Sequence, residues 1–213
     1  MILHGYWRSS ASYRVRIALG LKQLSFDQVT HDLRAAAHKG ADYGDVSPQH
    51  FVPALETDDG AVLIQSPAIL EWLEERYPSP PLLPQASDDR AIVRAMAAII
   101  GCDIHPLNNL RILSSLKADL HAQPQQVDGW IARWIGEGFS ALEQVLERHS
   151  GTFAFGDAPT LADCYIVPQV YSARRFNVDL SAFPLVQKVS GAAELLPAFV
   201  AAHPSAQPDA DAS

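Results

Sequence analysis

The sequence predicts an α/β domain followed by an all-helical one, on three observations. Residues 1–22 read as a short strand that runs through a polar turn into a helix. Residues 52–70 read as a bend into a strand, a hairpin and a second helix start. Beyond a proline-rich break at 77–84, the large apolar residues recur at helical spacing.

The first strand is Met1 to Tyr6, and the first helix runs from about Ser12 to Lys22 with Val15, Ala18, Leu19 and Leu21 on its buried side. Between them, Arg8-Ser9-Ser10-Ala11-Ser12 places a cation and hydroxyls where the first N–H groups of a helix have no partner of their own. The macrodipole adds about half a positive charge there, so a sulfur anion is stabilised and a serine hydroxyl can donate to it. Ordinary N-capping by Ser9, Ser10 or Ser12 is the alternative reading. A second strand is expected near Phe26 to Val29. Val52-Pro53 marks a bend into the next strand, because proline removes a ladder donor and is confined to edges and cis turns. Asp58-Asp59-Gly60 separates two strand-like runs and fits a hairpin. Ser66 then reads as an N-cap with Pro67 at the first helical position, a second helix start able to receive a carboxylate. This order of elements is that of a thioredoxin-like domain.

The run from Tyr77 to Pro84 cannot be helical through its prolines and reads as an extended linker. The expected domains are therefore 1–80 and 88–213, with a linker at 81–87 and a poorly ordered Pro-, Ala- and Asp-rich tail at 203–213. Within the second, Asp88 to about Ser115 carries Ile92, Val93, Met96, Ala97 and Ile100 on one face and must kink or break at Pro106. Gln125 to His149 repeats Trp130, Trp134, Leu142 and Leu146 as a core stripe. Thr160-Leu161-Ala162-Asp163 has the form of a capping box.

Composition bounds the function. A chain of 213 residues that is 48% hydrophobic supports a full core. It has no apolar run of roughly 18 residues and no signal-like N-terminus, so the expectation is a cytoplasmic protein with no membrane partner. Cys102 and Cys164 stand in no metal-binding or redox spacing; both read as buried structural thiols, and no metal is expected. A net charge of −8 argues against nucleic acid as a partner. Within that acidic chain, Arg8, Arg14 and Arg16 form one basic island and Arg174-Arg175 another. Such islands suit a small dianionic substrate, since guanidinium groups bind carboxylates bidentately; solvated helix faces are the alternative.

The segments SSASYRVRIAL, VPAL and QSPAI, the stretch from Cys102 to Arg111, Phe155-Gly156-Asp157 and Pro168-Gln169-Val170 together resemble zeta-class glutathione transferases over most of the chain. Within that class they are most similar to the bacterial enzymes that isomerise maleylacetoacetate. The resemblance implies glutathione transferase architecture, with a thioredoxin-like N-terminal domain followed by an all-α C-terminal domain. It further implies glutathione as cofactor, a homodimer, and cis–trans isomerisation of maleylacetoacetate to fumarylacetoacetate in aromatic amino acid catabolism. Isomerisation of maleylpyruvate, or conjugation of small electrophiles such as halogenated acids, is the alternative activity. A noncatalytic assembly module is a third class, weakened by the presence of Ser9, Ser10, Gln65 and Ser66 together.

The resemblance also implies residue roles. Ser10 would donate to the glutathione sulfur with Ser9 close by, Val52 would pair through its backbone with the cysteinyl unit, Gln65 and Ser66 would hold the γ-glutamyl group, and His38 would contact the glycine end. His105, Asn109, Leu110 and Arg111 would line the active site from the second domain, although His105 reads equally as a solvated or capped residue beside Pro106. Arg8 and Arg175 are the candidates for holding the substrate carboxylates. Many zeta enzymes carry a cysteine where this chain has Ala11, which disfavours disulfide exchange here and leaves isomerisation untouched. Tyr6, inside the expected strand, reads as packing or pocket wall.

Overall fold

Strand β1 (Ile2–Gly5) lies inside a four-stranded sheet of order β2-β1-β3-β4, in the computed structural model, which describes residues 1–211. β2 (Asp27–Thr30) is an exposed parallel edge, while β3 (Ala54–Glu56) pairs antiparallel with β1 and with β4 (Val62–Ile64). Leu3, Ala54 and Leu55 are fully buried on this sheet. The expected hairpin is present: Thr57 N–H donates to the Ala61 carbonyl, and Gly60 takes the left-handed conformation, φ +83°, that the turn requires.

Helix α1 spans Ser10–Leu21, two residues earlier than expected, because Ser9 rather than a later serine takes the cap. Its residues from Ala11 to Leu19 are buried on every side, so it is a central helix and not an amphipathic one. Helix α3 (Ser66–Arg76) corrects a second boundary. Gln65 is its N-cap, with φ +69°, and Ser66 is the first helical residue, which moves Pro67 to the second position. Between β2 and β3, a 3-10 turn at Ala37–Lys39 and the short α2 (Ala41–Val46) order a loop in which no element was expected. After α3 the proline run is organised by a buried ion pair: Lys22 Nζ donates to Glu74 Oε2 (2.7 Å) and to the carbonyls of Tyr77 and Pro80, and Glu74 also accepts from Leu82 N–H. A lysine so enclosed needs each of these acceptors to offset its lost hydration.

Two compact units result, one of Met1–Leu82 together with the chain from Leu195 onward, the other of Leu83–Glu194. The first boundary falls within the expected linker. The second departs from the expected 88–213 domain, because α9 (Pro197–Ala202) packs on α1 in the first unit. Phe199 and Ala202 are buried there, and a Cβ on Gly20 would meet the Ala198 Cβ at 3.2 Å, so the two helices approach closely. The tail expected to be poorly ordered is anchored in the same unit through His203, Gln207, Asp209 and Asp211; residues 212 and 213 lie outside the described residues.

In the helical unit, α4 (Ser87–Ala98) continues into a π-helical segment, Ile99–Ile104, and the chain breaks around Pro106 before α5 (Leu110–Ala118). α6 (Pro124–His149), α7 (Leu161–Arg175) and α8 (Pro184–Glu194) complete it. The core stripe of α6 is Val127, Ile131, Ile135, Phe139, Leu142 and Leu146. Trp130 and Trp134 are only half-buried beside it, contrary to expectation; the Trp130 indole N–H donates to the Leu107 carbonyl at 3.0 Å, whereas that of Trp134 is buried without a partner. A Cβ on Gly138 would lie 2.4 Å from Ile104, so this glycine admits the π segment against α6. The capping box stands as expected: Asp163 accepts from Thr160 N–H (2.8 Å), the Thr160 hydroxyl (3.1 Å) and Ala154 N–H (2.9 Å). Among the described residues no helix is long and apolar enough to cross a membrane.

Candidate active site

The start of α1 is built for an anion. Ser9 Oγ accepts the N–H of Ser12 (3.2 Å), its N–H donates to the Tyr6 carbonyl, and its carbonyl accepts the N–H of Tyr13. Ser9 is therefore committed to capping. The hydroxyl of Ser10 and the N–H groups of Ser10 and Ala11 engage nothing among the described residues. One free hydroxyl and two free amide donors thus converge at the positive end of a helix dipole. Arg8 is half-buried and lies over the Trp7 ring, 5.4 Å from its centroid.

The rest of the expected basic island is elsewhere. Arg14 and Arg16 are 1% and 2% exposed, so they cannot serve as open carboxylate receptors. Arg14 Nη1 donates to Ser66 Oγ (3.4 Å), and Arg16 donates to the carbonyls of Ala202 (3.0 Å) and Trp7 (2.9 Å). Their spacing in a helix buried all round placed them inward. Tyr6 is buried as well, which raises the pKa of its hydroxyl.

Ser66 is brought beside α1 by that Arg14 contact, while Gln65 is exposed and bonded to Gln49. Val52 precedes a cis peptide bond to Pro53 and makes no hydrogen bond among the described residues, so its backbone pair is open. Its position is held by residues that sequence reasoning missed: Tyr43 Oη (2.7 Å) and Ser47 Oγ (3.0 Å) both donate to the neighbouring Phe51 carbonyl. Burial lifts the Tyr43 phenol to about 12, so it remains a donor at neutral pH. Tyr43, the single aromatic residue between Phe26 and Phe51 apart from histidines, was the signal available in the sequence. His38 stands in the 3-10 turn, its carbonyl bonded to His50 Nδ1 at 3.0 Å and its own Nδ1 buried without a partner. Burial, then Lys39 and His50, lower its pKa and favour the neutral ring. A second pair, His4 and His31, share a 3.0 Å contact between ring nitrogens, with His4 also 2.6 Å from Glu56. These groups link β1 to β3 and to the residue that follows β2, and were not singled out beforehand.

The helical unit carries its own candidates. His105 ends the π segment, its N–H bonded to the Ile100 carbonyl at 2.9 Å. Asn109 is the N-cap of α5, with Oδ1 accepting Arg111 N–H at 3.2 Å, so half of its amide serves the helix and its NH₂ is left for other use. Leu110 and Arg111 are exposed at that helix start. At the far end of α7, Arg174 pairs with Glu194 (2.9 Å), whereas Arg175 is exposed over the Phe176 ring, 4.4 Å from its centroid. Cys164 is buried, but Cys102 is exposed on the π segment, which corrects the expectation of two buried thiols. The described residues hold no cluster of three metal-ligating side chains.

Comparison with known proteins gives a family. Residues 8–76 match the glutathione S-transferase N-terminal domain, and residues 128–203 match the glutathione S-transferase C-terminal domain. A maleylpyruvate isomerase of a Ralstonia species is 50% identical over 98% of this chain and 99% of its own. The maleylacetoacetate isomerase of Pseudomonas aeruginosa is 47% identical over the whole of both chains. Among solved structures, a holo maleylpyruvate isomerase described as a bacterial zeta-class glutathione S-transferase superposes with a TM-score of 0.96 at 49% identity, covering 99% of this chain and 100% of its own. A maleylacetoacetate isomerase from Anaeromyxobacter dehalogenans with glutathione bound in its active site gives 0.89 at 44% identity, over 99% and 97% of the two chains. With both domain types matched in order, and relatives this similar over their whole length, the chain belongs to the zeta class of the glutathione S-transferase family.

Proposed function

We propose that the protein is a glutathione-dependent cis–trans isomerase of maleyl keto acids, with maleylacetoacetate as substrate and fumarylacetoacetate as product. The observation that carries this reading is the start of α1, where Ser10 and two backbone N–H groups stand free while Ser9 alone does the capping. The Ser9 cap takes up only the Ser12 N–H, so the donors that a helix start leaves open stay available to an anion, with the Ser10 hydroxyl beside them. The same residues fit glutathione: Ser10 with the Ser10 and Ala11 amides for the sulfur, the open backbone of Val52 for the cysteinyl unit, Gln65 and Ser66 for the γ-glutamyl group, and the unpartnered Nδ1 of His38 for the glycine end. Within the helical unit, His105, Asn109 and Arg111 are the candidates for binding.

When bound, glutathione supplies a thiolate that adds reversibly to the cis double bond, which as a single bond rotates before elimination restores it as trans. Ser10 and the helix start lower the cost of the sulfur anion at neutral pH. Arg8 in the first unit and Arg175 in the helical unit are each candidates for a substrate carboxylate, and a guanidinium so placed would offset the charge that grows on the substrate's carbonyl oxygen, a contribution of about 3 kcal/mol for one well-placed donor. Ala11 leaves no thiol at the turn, so the nucleophile comes from the cofactor. A cytoplasmic homodimer is the setting we infer.

Maleylpyruvate is the second reading, favoured by the 50% identical relative of that name. Proton NMR of maleylacetoacetate and maleylpyruvate, each incubated with enzyme and glutathione, tests both. The expected result is glutathione-dependent conversion of maleylacetoacetate to the trans isomer. Brisk conjugation of electrophiles with no isomerisation of either diacid would reject the reading in favour of a detoxifying transferase.

A further inference from the structure

The turn that carries Arg8, Ser9 and Ser10 hangs from the other end of the chain. Trp7 N–H donates to Asp209 Oδ2 at 3.0 Å, and the Trp7 carbonyl accepts from Arg16 Nη2 at 2.9 Å. Arg16 in turn donates Nε to the Ala202 carbonyl at 3.0 Å. Both backbone groups of Trp7 are thus taken up by the C-terminal segment, one directly and one through a buried guanidinium. That segment is firmly held. Gln207 is 7% exposed and donates to the carbonyls of Ala201 (2.8 Å) and His203 (2.9 Å) while accepting from Gln28 (3.0 Å), and Asp211 receives two bonds from Arg34.

Among the described residues the turn's own short-range bonds all run through Ser9: its N–H to the Tyr6 carbonyl, its carbonyl from Tyr13 N–H and its Oγ from Ser12 N–H; Trp7 has no such local bond. The backbone of Trp7 is therefore placed by contacts distant in sequence rather than by the turn. The Asp209 bond is charge-assisted and therefore about twice as strong as a neutral one. It acts on the residue next to Arg8 and three before Ser10, and the Trp7 ring is also the surface on which Arg8 lies.

We propose that Asp209 is a positioning residue for the thiolate site: by holding Trp7 N–H it fixes the lead-in to α1 and so the places of the Ser10 hydroxyl and the Arg8 guanidinium. Resting on the isomerase reading, this makes the C-terminal segment a working part of the site in its own unit. Asp209 touches neither glutathione nor substrate in this scheme; it acts through the backbone of Trp7.

The test uses the full chain with Asp209→Ala and Asp209→Asn. Asparagine can still accept from Trp7 N–H through Oδ1, whereas alanine cannot. We expect Asp209→Ala to lower kcat for isomerisation about tenfold, as misplacement of catalytic groups does, and to raise the pKa of bound glutathione, read from its ultraviolet thiolate absorbance. Glutathione affinity should change less than about twofold, the hydrogen exchange of Trp7 N–H should accelerate, and Asp209→Asn should restore most of the rate. Wild-type kcat and thiolate absorbance in Asp209→Ala would overturn the proposal. So would a loss of thermal stability with kcat that Asp209→Asn fails to rescue, which is the mark of a purely structural contact. Failure of the wild type to isomerise either diacid would reject the activity instead, while the thiolate absorbance and Trp7 exchange would still decide the role of Asp209.

Discussion

Arg14 Nη1 donates to Ser66 Oγ across 3.4 Å, tying the second turn of α1 to the first turn of α3. Both residues are buried, so the hydroxyl is held with its acceptor side occupied and its proton free to donate outward. Ser66→Ala is expected to weaken glutathione binding by about tenfold, the loss of one hydrogen bond to a charged group. Turnover at saturating glutathione should stay near wild type, because the sulfur contacts are untouched. Isothermal calorimetry reads the affinity, and an unchanged Kd would remove Ser66 from the binding set.

Ser10→Ala should do the reverse. It deletes the free hydroxyl at the α1 start but keeps the tripeptide contacts, so kcat should fall more than about tenfold while glutathione affinity is nearly preserved. The thiolate absorbance of the bound cofactor should diminish in parallel. A mutant that keeps both its signal and its rate shows that the backbone N–H groups suffice without Ser10.

Arg8→Ala and Arg175→Ala should cripple isomerisation of the diacid and affect conjugation of a neutral electrophile much less. Both reactions use the same thiolate, but only the diacid and its enolate need guanidinium partners. Parallel kinetics on the two substrates provide the check, with equal losses pointing to glutathione binding or folding.

Burial raises the carboxyl of Asp163 to about 6 despite the donors from Thr160 and Ala154 that favour its anion. The folded chain therefore binds this proton more tightly than the unfolded one, whose ordinary value is 3.8. Its contribution to stability is fully present below the unfolded value and is lost as pH rises through the folded one, by about 3 kcal/mol over the span. Urea midpoints of wild type compared with Asp163→Asn should thus show the wild type gaining relative stability on acidification from about pH 6 to pH 4. Asp163→Ala, which leaves three buried donors unpaired, should cost about 3 kcal/mol at neutral pH, more than the ~1 kcal/mol of an exposed cap. A pH-independent difference between wild type and Asp163→Asn would contradict the raised pKa.

Much of this was legible in the sequence because it depends on neighbours along the chain. Caps, turns and breaks are short-range: Gly60 in its turn, the Thr160–Asp163 box and the interruption at Pro106 all lie where residue type and spacing set them. The boundary at Ser9 moved by two residues because several adjacent serines were eligible caps, and that at Gln65 by one although Gln65 makes no side-chain cap bond. Periodicity failed at Trp130 for another reason: it weighs size and apolarity but not an indole's need for an acceptor, here the Leu107 carbonyl.

By itself, then, the sequence determined the two architectures and the turn at Ser9-Ser10, each through local rules of hydrogen bonding and apolar spacing. Only the tertiary structure decided that Arg14 and Arg16 turn inward, that Cys102 is exposed, and that the last residues join the first unit. The physical reason is separation. Arg16 finds its carbonyl 186 residues away at Ala202, and Trp7 finds its carboxylate 202 residues away at Asp209. A buried cation or amide must be matched wherever the fold brings an acceptor, and no spacing along the chain says where that will be.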